Sequence, residues 1–476
     1  MTDALTNRDK GTVTDGQPVL ERRKPGEPCV ASFAQLRLWY LDQLAPGTAV
    51  YNIPFLMRIH GPVNVEALRR AYSAFVGRYE VLRTIFLAPS GSPLPFALKK
   101  WSVQLPEIDL CHRPQHERES EARRLAHEEA ARPFNLARDP MVRGLLLRLS
   151  QDEALFLQVA HHIAFEAGGL RTAFSEIAAL YEADLSGIPV TLMEPPFQYS
   201  DFAIWQQRFL QGESLAHLEQ FWKEHLTGAA QIQLPTDHPR PTRWSQRGKR
   251  HAVEFPQELL RDFQSLTQRS QTTLYRSTQA AFSVFLHACT GQEDFSMGSP
   301  VLPRSVNVEG MIGFFVNTVV FRHDLSGDPT FLEILKRVDA SCRASLQHSD
   351  LTLEKVVDAI QPPRDPTRTP LFQVNFRSPK TPLPILEIDG LDISRPVYID
   401  NGTSKFDLSF ELEMQTGEGS YIEYCSDLFE PSTIERMRGD FERLLLELVA
   451  NPEAKLSELV TVRDMLRSLG QRNAPQ

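Results

Sequence analysis

The sequence lacks most of the features that would fix its chemistry at a glance. Its five cysteines, Cys29, Cys111, Cys289, Cys342 and Cys425, are scattered and form no CxxC or CxxH pair. That excludes a disulfide framework and a cysteine-based zinc site, and it fits reduced thiols in a cytoplasm. No apolar run approaches the roughly 20 residues of a membrane-spanning helix. The opening MTDALTNRDKGTVTDGQPVL has no apolar centre of the kind a signal peptide needs. Positive charge is also short: the formal net charge is −9, the wrong sign for a general binder of nucleic-acid phosphates. There is no GxSxG elbow, no cysteine in a nucleophile motif and no short-period repeat. The expectations are no nucleic acid, no membrane, no metal and no cofactor bound by the chain itself.

What is present is an ordinary globular mix, 42% hydrophobic and 23% charged, over 476 residues. That length exceeds one ordinary core, so two subdomains are expected. Residues 1–28 are polar and rich in Gly, Pro and mixed charge, and read as a disordered or docking tail. From SFAQLRLWYLDQL (32–44) strands and helices alternate. VEALRRAYSAFVGRY (65–79) has helical periodicity, VLRTIF (81–86) is strand-like, and 118–131 is a charged helix. VRGLLLRLS (142–150) and EALFLQVAHH (153–162) read as a hairpin, and 169–184 as a helix. A proline-rich seam, 228–250, separates 29–227 from 251–465, and 466–476 reads as a tail. The second half shows helices near 257–288, a strand in 313–325, a helix after 330, strands in 384–425 and a helix over 431–450. The fold class is α/β (α+β), two subdomains with a crevice between them.

The stretch QVAHHIAFEAGG (158–169) ends an apolar run with two histidines, a carboxylate four residues on, and two glycines. On a strand, His161 and His162 point to opposite faces, so only one of them can face a crevice. The position favours chemistry, because the run stops at a glycine-bearing turn and Glu166 can fold back towards the pair. Buried structural imidazoles are an equal alternative on spacing alone.

HHIAFEA (161–167) resembles the HHxxxDG signature of nonribosomal peptide synthetase condensation domains, in the chloramphenicol-acetyltransferase-like superfamily. The other motifs of that family follow in order: SFAQLRLWYL (32–41), RYEVLRTIF (78–86), YSDFAIW (199–205) and FWKEHLTGA…LPTDHPRP (221–241). GSPVLPRS…MIGFFVNTVVFR (298–322), HSDLTLEKVVD (348–358) and RDPTRTPLFQVNF (364–376) complete the series, so the likeness covers about 30–450. It implies two acetyltransferase-like subdomains forming a V around a central active-site tunnel. The implied reaction joins an acyl or peptidyl group, held as a carrier-protein phosphopantetheine thioester, to an amine or hydroxyl. Carrier proteins acting in trans would supply the phosphopantetheine, the acceptor would be a small molecule or carrier-bound, and the chain would be a free-standing monomer in the cytoplasm.

The same resemblance assigns roles. His162 matches the catalytic position, as general base or positioning group, with His161 supporting it. Glu166 stands at an Asp position and implies a structural carboxylate, with Arg83 of LRT as its partner; removing one member of a buried pair is costly. Ala167, Gly168 and Asn317 would line the substrate tunnel, although Asn317 at a strand end suits a structural role equally well. Ala167 stands where the family has Gly, a strained exchange if the position needs positive φ. An α-amine with a pKa near 8 is partly neutral at pH 7, whereas a hydroxyl is not acidic enough to react unaided. His162 should therefore matter most for an ester product. Trp39, Trp205 and Trp222 read as packing. The basic cluster Arg240, Arg243, Arg247, Lys249 and Arg250 reads as a solvated linker or, less simply, an acidic-carrier dock. A catalytically silent platform recruiting a carrier or tailoring enzyme is the alternative function, motivated by Glu166 and Ala167.

Overall fold

Two sheets, one in each half of the chain, organise the computed structural model, which describes residues 18–472 except 25, 244, 304, 364 and 379–382. The first is built on the hairpin of strands Val142–Ser150 and Glu153–His161, with Asn52–His60 antiparallel to the latter and Glu107–Asp109 on the far edge. Residues 154–161 are all buried. An unbroken apolar run is what a strand covered on both faces requires. The helices Val65–Arg78 and Leu170–Ser186 pack together over this half through Leu68, Tyr72, Phe75, Phe174 and Ile177. The charged helix Gln115–Ala131 is seated by the i, i+4 row Ala122, Ala126 and Ala130, whose small side chains permit close approach to the strands.

The second sheet runs in the order Asn317–Asp324, Asp294–Val301, Val374–Arg377, Leu408–Glu411, Tyr421–Cys425, Gly248–Ala252. Its core helix, Leu274–Thr290, is buried continuously from Ser277 to Cys289 because Phe331–Gln347, Pro431–Ala450 and Val460–Arg472 surround it. Strand Val374–Arg377 meets the sheet where Asn375 pairs with Gly298. A β-carbon on Gly298 would stand 2.2 Å from the buried Phe372 ring. No helix among the described residues is long and apolar enough to cross a membrane.

The halves are interlocked, which the sequence boundaries do not convey. Short strands Asp392–Ile393 and Val397–Tyr398, from the second half, add to Asn52–His60 of the first sheet. Tyr398 Oη then donates to the Asn52 carbonyl at 3.0 Å, and Asn401 Nδ2 to the Ala49 carbonyl at 2.8 Å. The seam 228–250 is not a plain linker either: Ala230–Gln231 and the start of Gly248–Ala252 belong to the second sheet.

Three further expectations need correction. Residues 18–28 are tied down, not loose: Trp205 Nε1 donates to the Pro18 carbonyl at 2.7 Å and Arg23 pairs with Glu80 at 3.0 Å. Residues 1–17 lie outside the described residues. The C-terminal tail is helical to Arg472, because Leu466 and Met465 pack on the core; 473–476 lie outside the described residues. VLRTIF begins as a 3-10 turn, Glu80–Arg83, before the strand Thr84–Leu87.

Replacing Gly298 by Ala must displace the Phe372 ring. The expected cost is about 1–3 kcal/mol of overpacking, read as a lower denaturant midpoint, with Gly439→Ala, where nothing lies within 4 Å of an added β-carbon, as the control.

Candidate active site

The histidine pair forms where the ladder of Glu153–His161 runs out. Asn52 is still paired with His161, and one step further the His162 amide donates to the Tyr51 carbonyl at 2.8 Å. The chain then turns, the Ala164 amide donating to the His161 carbonyl at 3.0 Å. From the helix Phe33–Leu44, Gln35 Nε2 donates to the Ile163 carbonyl at 3.1 Å, while Gln35 itself closes a capping box with Ser32. Ile163, Ala164 and Phe165 are fully buried, so the turn is packed on both sides of the imidazoles.

The two imidazoles diverge as strand geometry requires. His161 is buried edge-on to Tyr51 and Phe134, and its Nδ1 accepts from the Ile163 amide at 3.2 Å. That bond requires the Nε2–H tautomer. Burial and the nearby Arg143 charge push its pKa down to about 3, so it is neutral and structural. Arg143 lies over the Phe134 ring at 3.8 Å and pairs with Glu129, bracing this strand end. His162 turns the other way, into the seam between halves. Its ring lies 4.5 Å from that of Phe314, a residue of the second half. Burial, then the Lys405 charge, hold its pKa well below the ordinary value. Its Nδ1 is buried with no hydrogen-bond partner outside its own residue. The site therefore presents an uncharged imidazole between two subdomains.

Glu166 joins those subdomains. Its Oε2 accepts from the backbone amides of Phe315 at 3.1 Å and Val316 at 3.0 Å, directly after Phe314. Burial is the larger influence and pushes its pKa up to about 7; the two amides and the Arg377 charge oppose that rise. The expected pair with Arg83 does not form. Arg83 Nη1 donates instead to the Leu98 carbonyl at 2.7 Å, because the 3-10 turn at 80–83 aims it along the ribbon of Thr84–Leu87 and Leu94–Ala97. Glu166 is satisfied by backbone and needs no guanidinium.

Ala167 stands in a 3-10 turn, Ala167–Gly169, and is not among the residues with positive φ, so its methyl group adds no backbone strain. Gly168 is exposed beside Glu166 Oε1. Asn317 is engaged structurally: Nδ2 donates to the Ser349 and Leu351 carbonyls, both at 2.8 Å, and Oδ1 accepts from the Leu353 amide at 3.1 Å. With its amide occupied, it clasps the turn before Leu353–Ile360, the structural role that its strand-end position suits. Gly313 is required by close approach, since a β-carbon there would stand 2.0 Å from the Tyr199 ring. Tyr199 Oη donates to the Phe314 carbonyl at 2.7 Å, which sets the loop carrying Phe314. Trp39, Trp205 and Trp222 are buried. In the basic cluster, Arg240 pairs with Asp407, Arg247 with Asp427 and Arg250 with Glu423; only Arg243 and Lys249 stay exposed without such an ion pair among the described residues.

Gln35, Phe314, Arg377 and Lys405 belong to this arrangement and carry no chemical signal of their own in the sequence. Each nevertheless falls in a short motif, SFAQ, GFFVN, QVNFR or KFDLSF. Gln35 alone had a legible cue, the S-x-x-Q capping pattern.

Two sheet-centred halves closed over a paired histidine define a chloramphenicol-acetyltransferase-like fold. The condensation-domain family model matches residues 28–468, and the chain belongs to that family. It is 38% identical over 434 residues to one of the linear gramicidin synthase proteins of Brevibacillus parabrevis, covering 90% of this chain and 6% of that one. It is 36% identical to the phosphinothricin tripeptide synthetase PhsC of Streptomyces viridochromogenes, covering 96% of this chain and 43% of that one. The chain thus spans less than half the length of either relative. Among solved structures, the X-domain in its complex with OxyB from teicoplanin biosynthesis superposes with a TM-score of 0.83 at 26% identity, over 94% of this chain and 98% of that one.

The raised carboxyl pKa gives a pH prediction. Between about 4.5, the ordinary value, and about 7, the folded chain binds the Glu166 proton more tightly than the unfolded chain. This contribution to stability is complete below pH 4.5 and is lost as pH rises through 7. Glu166→Gln keeps an acceptor for both amides and should flatten that fall in a denaturant series across pH. Glu166→Ala strands the two amides and should cost about 1–3 kcal/mol at every pH.

Proposed function

We propose that the chain catalyses amide- or ester-bond formation from an acyl or peptidyl thioester. The observation that carries this reading is the neutral His162 imidazole, lodged between the subdomains beside Phe314 and only partly buried. Several side chains facing the seam remain partly exposed, among them His162, Arg377 and Lys405. A sealed interface would not leave that room, and a crevice is what two tethered reactants need.

In this reading a carrier protein presents the thioester on its phosphopantetheine arm. The acceptor nitrogen or oxygen attacks the thioester carbonyl, the carbon–sulfur bond breaks, and the thiol stays on the carrier. Holding both reactants in register supplies most of the acceleration. An imidazole that is uncharged at working pH can accept a hydrogen bond from the attacking group and take its proton as charge develops. Its depressed basicity makes it a positioning acceptor first and a proton store second, which suffices for an amine. His161 fixes the strand end, and Glu166 fixes the distance between His162 and the second half. Ala167 and Gly168 stay as candidates for the crevice wall. Arg243 and Lys249 are the exposed cations nearest the seam sequence that an acidic carrier could use.

The second reading is a silent platform that recruits a tailoring enzyme. The X-domain likeness favours it, since that domain was solved with OxyB. Against it stands the intact histidine pair, His162 being partly exposed in the seam.

The test pairs acyl-pantetheine thioesters with a panel of amines and alcohols, followed by mass spectrometry. Wild type should give product. His162→Ala should lower kcat/KM by about 10²–10⁴-fold for an alcohol and by less for an amine. No product from any pair, with carrier binding intact, would select the platform.

A further inference from the structure

The charges facing the crevice fall into pairs with one left over. Arg37 meets Glu354 at 3.3 Å, Arg250 meets Glu423 at 2.9 Å, and Arg377 meets Glu411 at 2.8 Å. Arg250 is further fixed between the Tyr398 and Tyr421 rings, 3.8 and 4.4 Å from their centres, and Tyr421 Oη donates to Glu411 at 2.7 Å. Lys405, on the loop before strand Leu408–Glu411, has no carboxylate within ion-pair reach among the described residues. Its ammonium lies 5.6 Å from the centre of the Tyr51 ring, whose carbonyl holds His162. The carboxylate whose field it feels, Glu423, is spent on Arg250 and on the Lys405 backbone amide.

Three carboxylates against three guanidiniums leave the Lys405 ammonium unpaired; the remaining acid of the site, Glu166, is turned onto the Phe315 and Val316 amides and is half protonated near pH 7. The ammonium sits near enough to depress the basicity of both His161 and His162. An ammonium set among protein groups without a counter-charge is unfavourable, and here burial draws its own pKa down to about 8. At pH 7 it is still mostly protonated. A monovalent anion arriving beside it would be stabilised and would relieve the imidazole of an opposing charge. The phosphate of a phosphopantetheine arm lies at the far end from its thioester, so it cannot reach this point while the thioester stands at His162.

We infer that Lys405 is an acceptor-specificity residue: it binds a carboxylate on the acceptor, beside the attacking amine or hydroxyl. This rests on the acyl-transfer reading of the site. The carboxylate has two sources, the acceptor's own acid group if it enters untethered, or an acidic side chain if its carboxyl is already esterified to a carrier. With the acid bound, the Lys405 charge would no longer oppose a proton on His162, although burial would still hold its basicity down.

The experiment uses the full chain and two matched pairs. Serine against serinamide reports an acceptor's own carboxylate, and aspartic acid α-amide against asparaginamide reports a side-chain carboxylate. Ligand-observed NMR gives affinity without requiring turnover, and product formation from an acyl-pantetheine thioester gives kcat and KM. In at least one pair the carboxylate member should bind about tenfold tighter or more, the scale of a charge-assisted contact. Lys405→Met should collapse that ratio to near one through KM, and Lys405→Arg should restore part of it. Equal affinities within both pairs in wild type would overturn the inference. So would a Lys405→Met protein, folded by circular dichroism, that keeps the wild-type ratio. Product formation without a carboxylate preference sinks only this inference, whereas a carboxylate preference without product sinks the transferase reading and with it the acceptor role, leaving Lys405 as a carboxylate-binding residue alone.

Discussion

One carboxylate and two backbone amides hold the working geometry together. Glu166 leaves the strand–turn of the first half and reaches the Phe315 and Val316 amides of the second. The residue just before those amides, Phe314, is the one whose ring lies tilted against that of His162. A shift of either half therefore moves the aromatic wall against the imidazole. Because the contact is made with main chain, it constrains the path of the GFFVN loop itself. Gly313 and Tyr199 fix the same loop from the other side, through a close approach only glycine permits and a hydrogen bond to the Phe314 carbonyl. Glu carries one more methylene than the Asp of the family signature, and here that reach is used to span the seam.

Electrostatics at the site follow from a shared shortage of water. Both imidazoles are neutral because burial and neighbouring cations oppose their protonation, and the Glu166 carboxyl is raised for the same reason of desolvation. Arginines that could have disturbed this balance are matched one to one with carboxylates or laid on aromatic rings. The imbalance is confined to Lys405. A site of this kind does little by strong acid or base. In the proposed reaction it would place an acceptor and offer a weak acceptor for its proton, which suits joining two reactants held in register.

The two halves have a sheet each but share one continuous hydrophobic core, and specific ties set their register. The tie made by strands 392–393 and 397–398 adds ladder hydrogen bonds, and Tyr398 and Asn401 add side-chain bonds to the Asn52 and Ala49 carbonyls. These side-chain bonds lie on the same end of the first sheet as His161. Covalent continuity through 228–250 would by itself leave the crevice angle undefined. The crossing strands and the Glu166 contact restrict it from two directions.

Much of this architecture is legible from the chain alone. The helix over 65–78, the hairpin of 142–150 and 153–161, the helix 431–450 and the divergence of His161 from His162 all follow from local periodicity and sheet alternation. The ordered motifs place the chain in its family. What the sequence could not supply were partners set by long-range closure. Arg83 reads as the mate of Glu166, but a 3-10 turn aims it at Leu98, and the true mates are amides, which no residue type announces. Asn317 reads as a lining residue, yet its amide is spent on three backbone groups. Lys405 stands out only once every neighbouring cation is seen to be paired. Side-chain periodicity is a local property of the chain, whereas hydrogen-bond satisfaction and charge balance are counted over neighbours that only the tertiary fold selects.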